Sequence, residues 1–66
     1  MQIGEQIKNI LWYENKTQVW LARESGITPS TVNAYVNGRY APNIRTVELL
    51  LDALGYELKI VKKVSE

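Results

Sequence analysis

Sixty-six residues make one small domain, and a chain of that size buries only about 60% of the surface that its unfolded form exposes. With neither cysteine nor histidine, it lacks disulfides, thiolate metal sites, a cysteine nucleophile and the commonest general base and zinc ligand. No metal or cofactor is therefore expected, and stability has to come from packed helices or from a second copy. The net charge of +1 is too small to name a partner, but no acid stands between Glu24 and Glu48, where Arg39 and Arg45 lie, which gives a local positive face.

Ile3, Ile7, Ile10 and Leu11 recur at helical spacing and predict a first helix from about Gln2 to Glu14, with Asn15 as a left-handed stop. Thr17 caps a second helix, Gln18 to about Glu24, which turns Leu21 and Ala22 inward, and Gly26 ends it. The third helix has the clearest start: Thr28 as N-cap, Pro29 at the first helical position, and Ile27 with Val32 as a hydrophobic staple. It should end near Asn37, with Gly38 beyond. Asn43 then caps a fourth helix whose inner stripe is Ile44, Val47, Leu50, Leu51 and Leu54, closed by Gly55.

The final segment has a different period. Tyr56, Leu58 and Ile60 alternate with Glu57 and Lys59, which predicts a strand. A lone strand cannot satisfy its backbone groups, so the simplest partner is the same segment of a second copy, antiparallel about a two-fold axis. A frayed tail or an extension of the fourth helix is the alternative. Lys59, Lys62 and Lys63 either contact DNA or keep such a strand soluble.

Two short helices meeting at a tight turn need a small residue at the crossing, positive φ in the turn and an apolar anchor in the second helix. Ala22, Gly26 and Val32 supply these in register, with Ile27 and Tyr35 at further inward positions. Ile3-Gly4-Glu5, Thr17-Gln18, Leu21-Ala22, the run from Gly26 to Val32, Asn37-Gly38-Arg39, Pro42 and Leu54-Gly55 together resemble the lambda-repressor-like (XRE/Cro-type) helix-turn-helix family. The resemblance implies a mainly α fold, a compact bundle of four helices with a central helix-turn-helix. It also implies a bacterial or phage transcriptional regulator. The tail is similar to tails through which some members dimerise. The expected division is therefore a DNA-binding domain over residues 1–55 and a dimerisation element over 56–66, paired through Tyr56, Leu58 and Ile60. Where the family often pairs an arginine with a glutamate in its interior, this chain has Leu11 and Val36. An apolar pair can replace a buried ion pair at little cost, so Leu11 is expected against Val36.

A recognition helix offers its N-terminal residues to base edges in the major groove, which nominates Pro29, Ser30, Asn33 and Ala34. Asn33 is the sharpest candidate, because its amide matches the N6/N7 edge of adenine. Ser30 and Asn33 are otherwise ordinary solvated side chains. Backbone contacts are expected from Gln18, where the family uses a matching glutamine on phosphate, and from Thr28, Thr31, Asn37, Arg39 and Tyr40. The third helix has no Arg or Lys and so lacks the bidentate bond to guanine, which predicts an A·T-rich site read partly through DNA shape. Trp12 and Trp20 stand where related sequences carry polar residues, either as a protein interface or as cover for the core.

The expected function is a sequence-specific, double-stranded-DNA-binding regulator, most simply a repressor acting as a homodimer on an operator. An antitoxin with a toxin partner and a protein-interaction module that has lost DNA binding are the alternatives. No convergent acid–base pair or phosphate loop supports an enzyme. No apolar run approaches the roughly 20 residues of a membrane span, and the N-terminus lacks signal-peptide features, so the expected location is the cytoplasm.

Overall fold

The computed structural model describes residues 3–39 and 43–64. Four helices follow one another: α1 (Ile3–Tyr13), α2 (Gln18–Ser25), α3 (Pro29–Val36) and α4 (Ile44–Leu54). Their starts are set by side-chain caps that satisfy otherwise orphaned backbone N–H groups. Thr17 Oγ1 accepts from Trp20 N at 3.0 Å, Thr28 Oγ1 from Thr31 N at 3.3 Å, and Asn43 Oδ1 from Thr46 N at 3.1 Å. Pro29 occupies the first turn of α3, where no N–H is needed.

The ends are equally explicit. Asn15 adopts φ 58°, and the bonds Lys16 N to Leu11 O (2.8 Å) and Asn15 N to Trp12 O (3.2 Å) close α1 as a Schellman motif. The same pair of bonds closes α3 through Gly38 and Arg39, and α4 through Gly55 and Tyr56. The turn between α2 and α3 is tighter. Gly26, at φ 76°, donates to Ala22 O at 3.0 Å, a conformation that costs an L side chain roughly 1–2 kcal/mol. Ser25 braces this turn, its hydroxyl accepting from Ile27 N at 3.2 Å.

Each helix gives one fully enclosed side chain to the core: Ile7 from α1, Leu21 from α2, Val32 from α3 and Leu50 from α4. Around them pack Leu11, Ala22, Tyr35, Val36, Val47 and Leu51, with Ile3, Ile10, Trp20, Ile27 and Leu54 at the edge. Leu11 and Val36 thus share one core, and each is 5% exposed. Among the described residues no side-chain polar atom is buried without a partner, as an apolar core of this size requires. A helix α2 packed on both α3 and α4, with α1 crossing α3, completes the bundle. The crossing of α1 over the end of α3 is close enough that Gly4 admits no side chain: an added Cβ would strike Tyr35 O and lie 3.1 Å from Val36 O.

Two sequence expectations are corrected here. Ile44, placed on the inner stripe of α4, is 71% exposed, because it opens the helix and projects past the core that begins at Val47. The strand expected at Tyr56, Leu58 and Ile60 is not formed: residues 56–64 are neither helix nor strand, and no strand occurs among the described residues. A ladder needs a second strand, and the described part of a single chain offers none. No described helix is long and apolar enough to cross a membrane.

Candidate nucleic-acid interface

The surface built by α2 and α3 follows from where the core stripe of α3 runs. Val32, Tyr35 and Val36 face the interior, so the opposite side of the first turns is left open. Pro29 and Ser30 are exposed, and Thr31 and Asn33 are half-buried. Ala34 is corrected: at 5% exposure it is not on the outer face, although it lies outside the apolar cluster that Val32, Tyr35 and Val36 join.

Asn33 does not stand alone. Its Nδ2 donates to Gln18 Oε1 at 3.2 Å, joining α3 to the first residue of α2. An asparagine amide has two N–H groups and a carbonyl, so Asn33 keeps one N–H and Oδ1, the pair that adenine requires. The bond also orients the Gln18 amide. Its oxygen faces Asn33, and its Nε2 donors remain for an acceptor outside.

The hydroxyls are partly committed. Thr28 Oγ1, besides capping, donates to Thr31 Oγ1 at 2.8 Å and lies 3.5 Å from Ser30 Oγ. Thr31 therefore retains its own hydroxyl hydrogen. Asn37 Nδ2 folds back on Asn33 O at 2.9 Å, so its amide serves the end of α3 first. Arg39 is held just past the helix by its backbone N–H on Ala34 O at 2.8 Å, with an exposed guanidinium. Tyr40 lies outside the described residues.

A paired α2–α3 unit hinged at Gly26, with the early face of α3 open, is what a helix-turn-helix family model matches over residues 14–61, well over half of the chain. The chain belongs to the XRE, or lambda-repressor-type, helix-turn-helix family. Its members are DNA-binding regulators. No curated protein and no solved structure matches the chain significantly.

Two features of this helix-turn-helix chain escaped sequence reasoning. The Gln18–Asn33 bond spans 15 positions; both residues were legible as candidates, but nothing in their spacing announces that the amides meet. Gly4 was visible only as part of a family pattern, although its missing Cβ is what lets α1 approach α3. The tryptophans separate. Trp20 packs against the core with Lys16 Nζ 4.7 Å from its ring centroid, a cation–π contact, whereas Trp12 is 83% exposed. At the far end of α4, the Tyr56 hydroxyl donates to Glu14 Oε2 at 3.1 Å. That bond to a carboxylate, with some loss of solvent, raises the Tyr56 pKa above its ordinary value of 10.0. Among the described residues no acidic cluster is able to hold a metal ion.

Proposed function

We propose that the chain is a sequence-specific double-stranded-DNA-binding regulator that acts as a homodimeric repressor, with α3 in the major groove. The observation that carries this reading is the Gln18–Asn33 bond. It couples a donor at the start of α2, suited to a phosphate oxygen, with an amide at the open face of α3, suited to a base edge.

In this reading Asn33 reads adenine, and Ser30 and Pro29 fill the groove beside it. Gln18, Thr28, Thr31, Asn37, Arg39 and Tyr40 hold the sugar–phosphate backbone and set the register. The stretch from Ser25 to Val47 contains no acid, so nothing repels the duplex there. The tail supplies the second half of the reading. Ile60, Val61 and Val64 are 105%, 78% and 89% exposed, and a second tail paired edge to edge with residues 56–64 shields part of that surface while completing a ladder.

The test is selection of bound duplexes from a random library by the purified full chain. The expected result is an inverted repeat, A·T-rich at the position facing Asn33, with half-sites about 10 base pairs apart. A pool without enrichment, bound only at low salt, overturns specific recognition and leaves a protein partner as the role of the fold.

A further inference from the structure

We propose that two tails pair in one register only, with Ile60 on the two-fold axis and Glu57 of each copy opposite Lys63 of the other. This rests on the homodimer proposed above and adds to it the rule by which one copy recognises another.

The start of the tail rests against its own body. Tyr56 is tied to Glu14 at the end of α1, and Tyr56, Glu57 and Leu58 line a groove with Arg45, Glu48 and Asp52 of α4. Tyr56 and Leu58 are less than half exposed, while Glu57 and Lys59 are each 73% exposed and, among the described residues, form an ion pair with one another at 3.4 Å. In a strand, side chains two apart share a face, so Tyr56, Leu58, Ile60, Lys62 and Val64 form one face, and Glu57, Lys59, Val61 and Lys63 the other.

An antiparallel pair of identical strands places one residue on the axis opposite itself, and each neighbour at −n opposite the partner's residue at +n. The charges then rule out most centres, because like charges directly opposite destabilise a ladder and opposite charges stabilise it. A centre at Lys59 sets Lys59 against its own copy. A centre at Val61 sets Lys59 against Lys63 twice, and a centre at Lys62 or Lys63 again opposes identical cations. A centre at Leu58 sets opposite charges against one another, Glu57 with Lys59 twice, but it pairs only Tyr56 to Ile60 before the strands run into α4. Paired length and not charge disfavours it, with exposed Val61 and Val64 left uncovered. A centre at Ile60 pairs everything from Tyr56 to Val64. It sets Glu57 against Lys63 twice, Tyr56 against Val64, Leu58 against the stem of Lys62 and Ile60 against itself.

Because the two Glu57–Lys63 pairs are intermolecular, they make association selective as well as stable. The full chain with E57K has two cationic pairs in its own dimer, and with K63E two anionic ones. Each variant alone should self-associate on the order of tenfold more weakly than the parent. Mixed in equal amounts they regain both ion pairs, so native mass spectrometry should show the mixed dimer well above the half expected from random assortment. The absence of native cysteine gives an independent readout. Under mild oxidation I60C should form a covalent dimer rapidly, since directly opposite Cα atoms about 4.5–5.5 Å apart suit a disulfide, and L58C should not. Helix content by circular dichroism should be unchanged in every variant. Faster cross-linking of L58C than of I60C, or random assortment of E57K with K63E, overturns the register while leaving the dimer standing. A parent chain that stays monomeric at all concentrations overturns both register and dimer, and duplex selection reports on DNA recognition separately.

Discussion

Asn33 and Gln18 share a 3.2 Å hydrogen bond between two side chains on different helices, and in the proposed complex each meets a different part of the duplex. The coupling makes a quantitative prediction. N33A should cost about 1–3 kcal/mol on the selected site and flatten the preference at one base pair. Q18A should weaken every duplex, and it should also erode that base preference, because Asn33 loses the partner that orients its amide. The double variant should therefore fall short of the sum of the singles by roughly 0.5 kcal/mol or more. Binding titrations of the four proteins on the selected site and on its single-base variants decide it; strictly additive losses would show that the bond has no part in recognition.

Arg39 should behave in the opposite way. Its side chain is exposed, and among the described residues it has no ion pair, so R39A should leave thermal stability within about 0.5 kcal/mol. Affinity for matched and mismatched duplexes should drop alike. If the guanidinium neutralises one phosphate, the slope of log K against log salt becomes shallower by about 0.9. A loss confined to one sequence, with an unchanged slope, assigns Arg39 to base reading instead.

The helices were legible in the sequence because each carries its own punctuation. Thr17, Thr28, Pro29 and Asn43 mark starts, and Asn15, Gly26 and Gly55 mark stops; these act within a few residues and need no tertiary context. Periodicity then found Ile7, Leu21, Val32 and Leu50. What was not legible depends on how helices cross. Gly4 has to be small because α1 meets the backbone of Tyr35 and Val36, Ala34 is buried although it lies on a nominally outward arc of α3, and Ile44 keeps stripe spacing but extends past the core. For the tail, alternation predicts a strand that residues 56–64 do not form, because a ladder is a property of two segments and a pattern marks only one.

The Tyr56–Glu14 bond gives a pH prediction with a definite sign. A tyrosine whose pKa is raised on folding stabilises the fold only in its protonated form. Its contribution is complete below the unfolded value near 10.0 and disappears as pH rises through the higher folded value. Difference spectra of tyrosinate absorbance between the parent and Y56F should place the Tyr56 transition above that of a free tyrosine. Y56F should also flatten the loss of stability above pH 10, with no effect near neutrality beyond one exposed hydrogen bond. A Tyr56 transition at or below the free value rules the bond out in solution.

Gly4 separates two opposing effects that intrinsic propensity and packing assign to one substitution. In an open helix, replacing glycine by alanine gains up to about 1 kcal/mol. Here the new methyl would enter the carbonyls of Tyr35 and Val36, and backbone cannot rotate away as a flexible side chain does. Overpacking of this kind costs about 1–3 kcal/mol, which exceeds the gain, so G4A should lower stability. In a domain this small each kcal/mol corresponds to a Tm shift of roughly 4–8 °C. The Tyr35 carbonyl also anchors the end of α3, accepting from Gly38 N at 3.1 Å beside the Arg39 N bond to Ala34 O at 2.8 Å. Displacing it should move Arg39 relative to Asn33, so G4A should also weaken DNA binding measured well below its Tm. A G4A protein more stable than the parent would mean that α1 does not approach α3 this closely in solution.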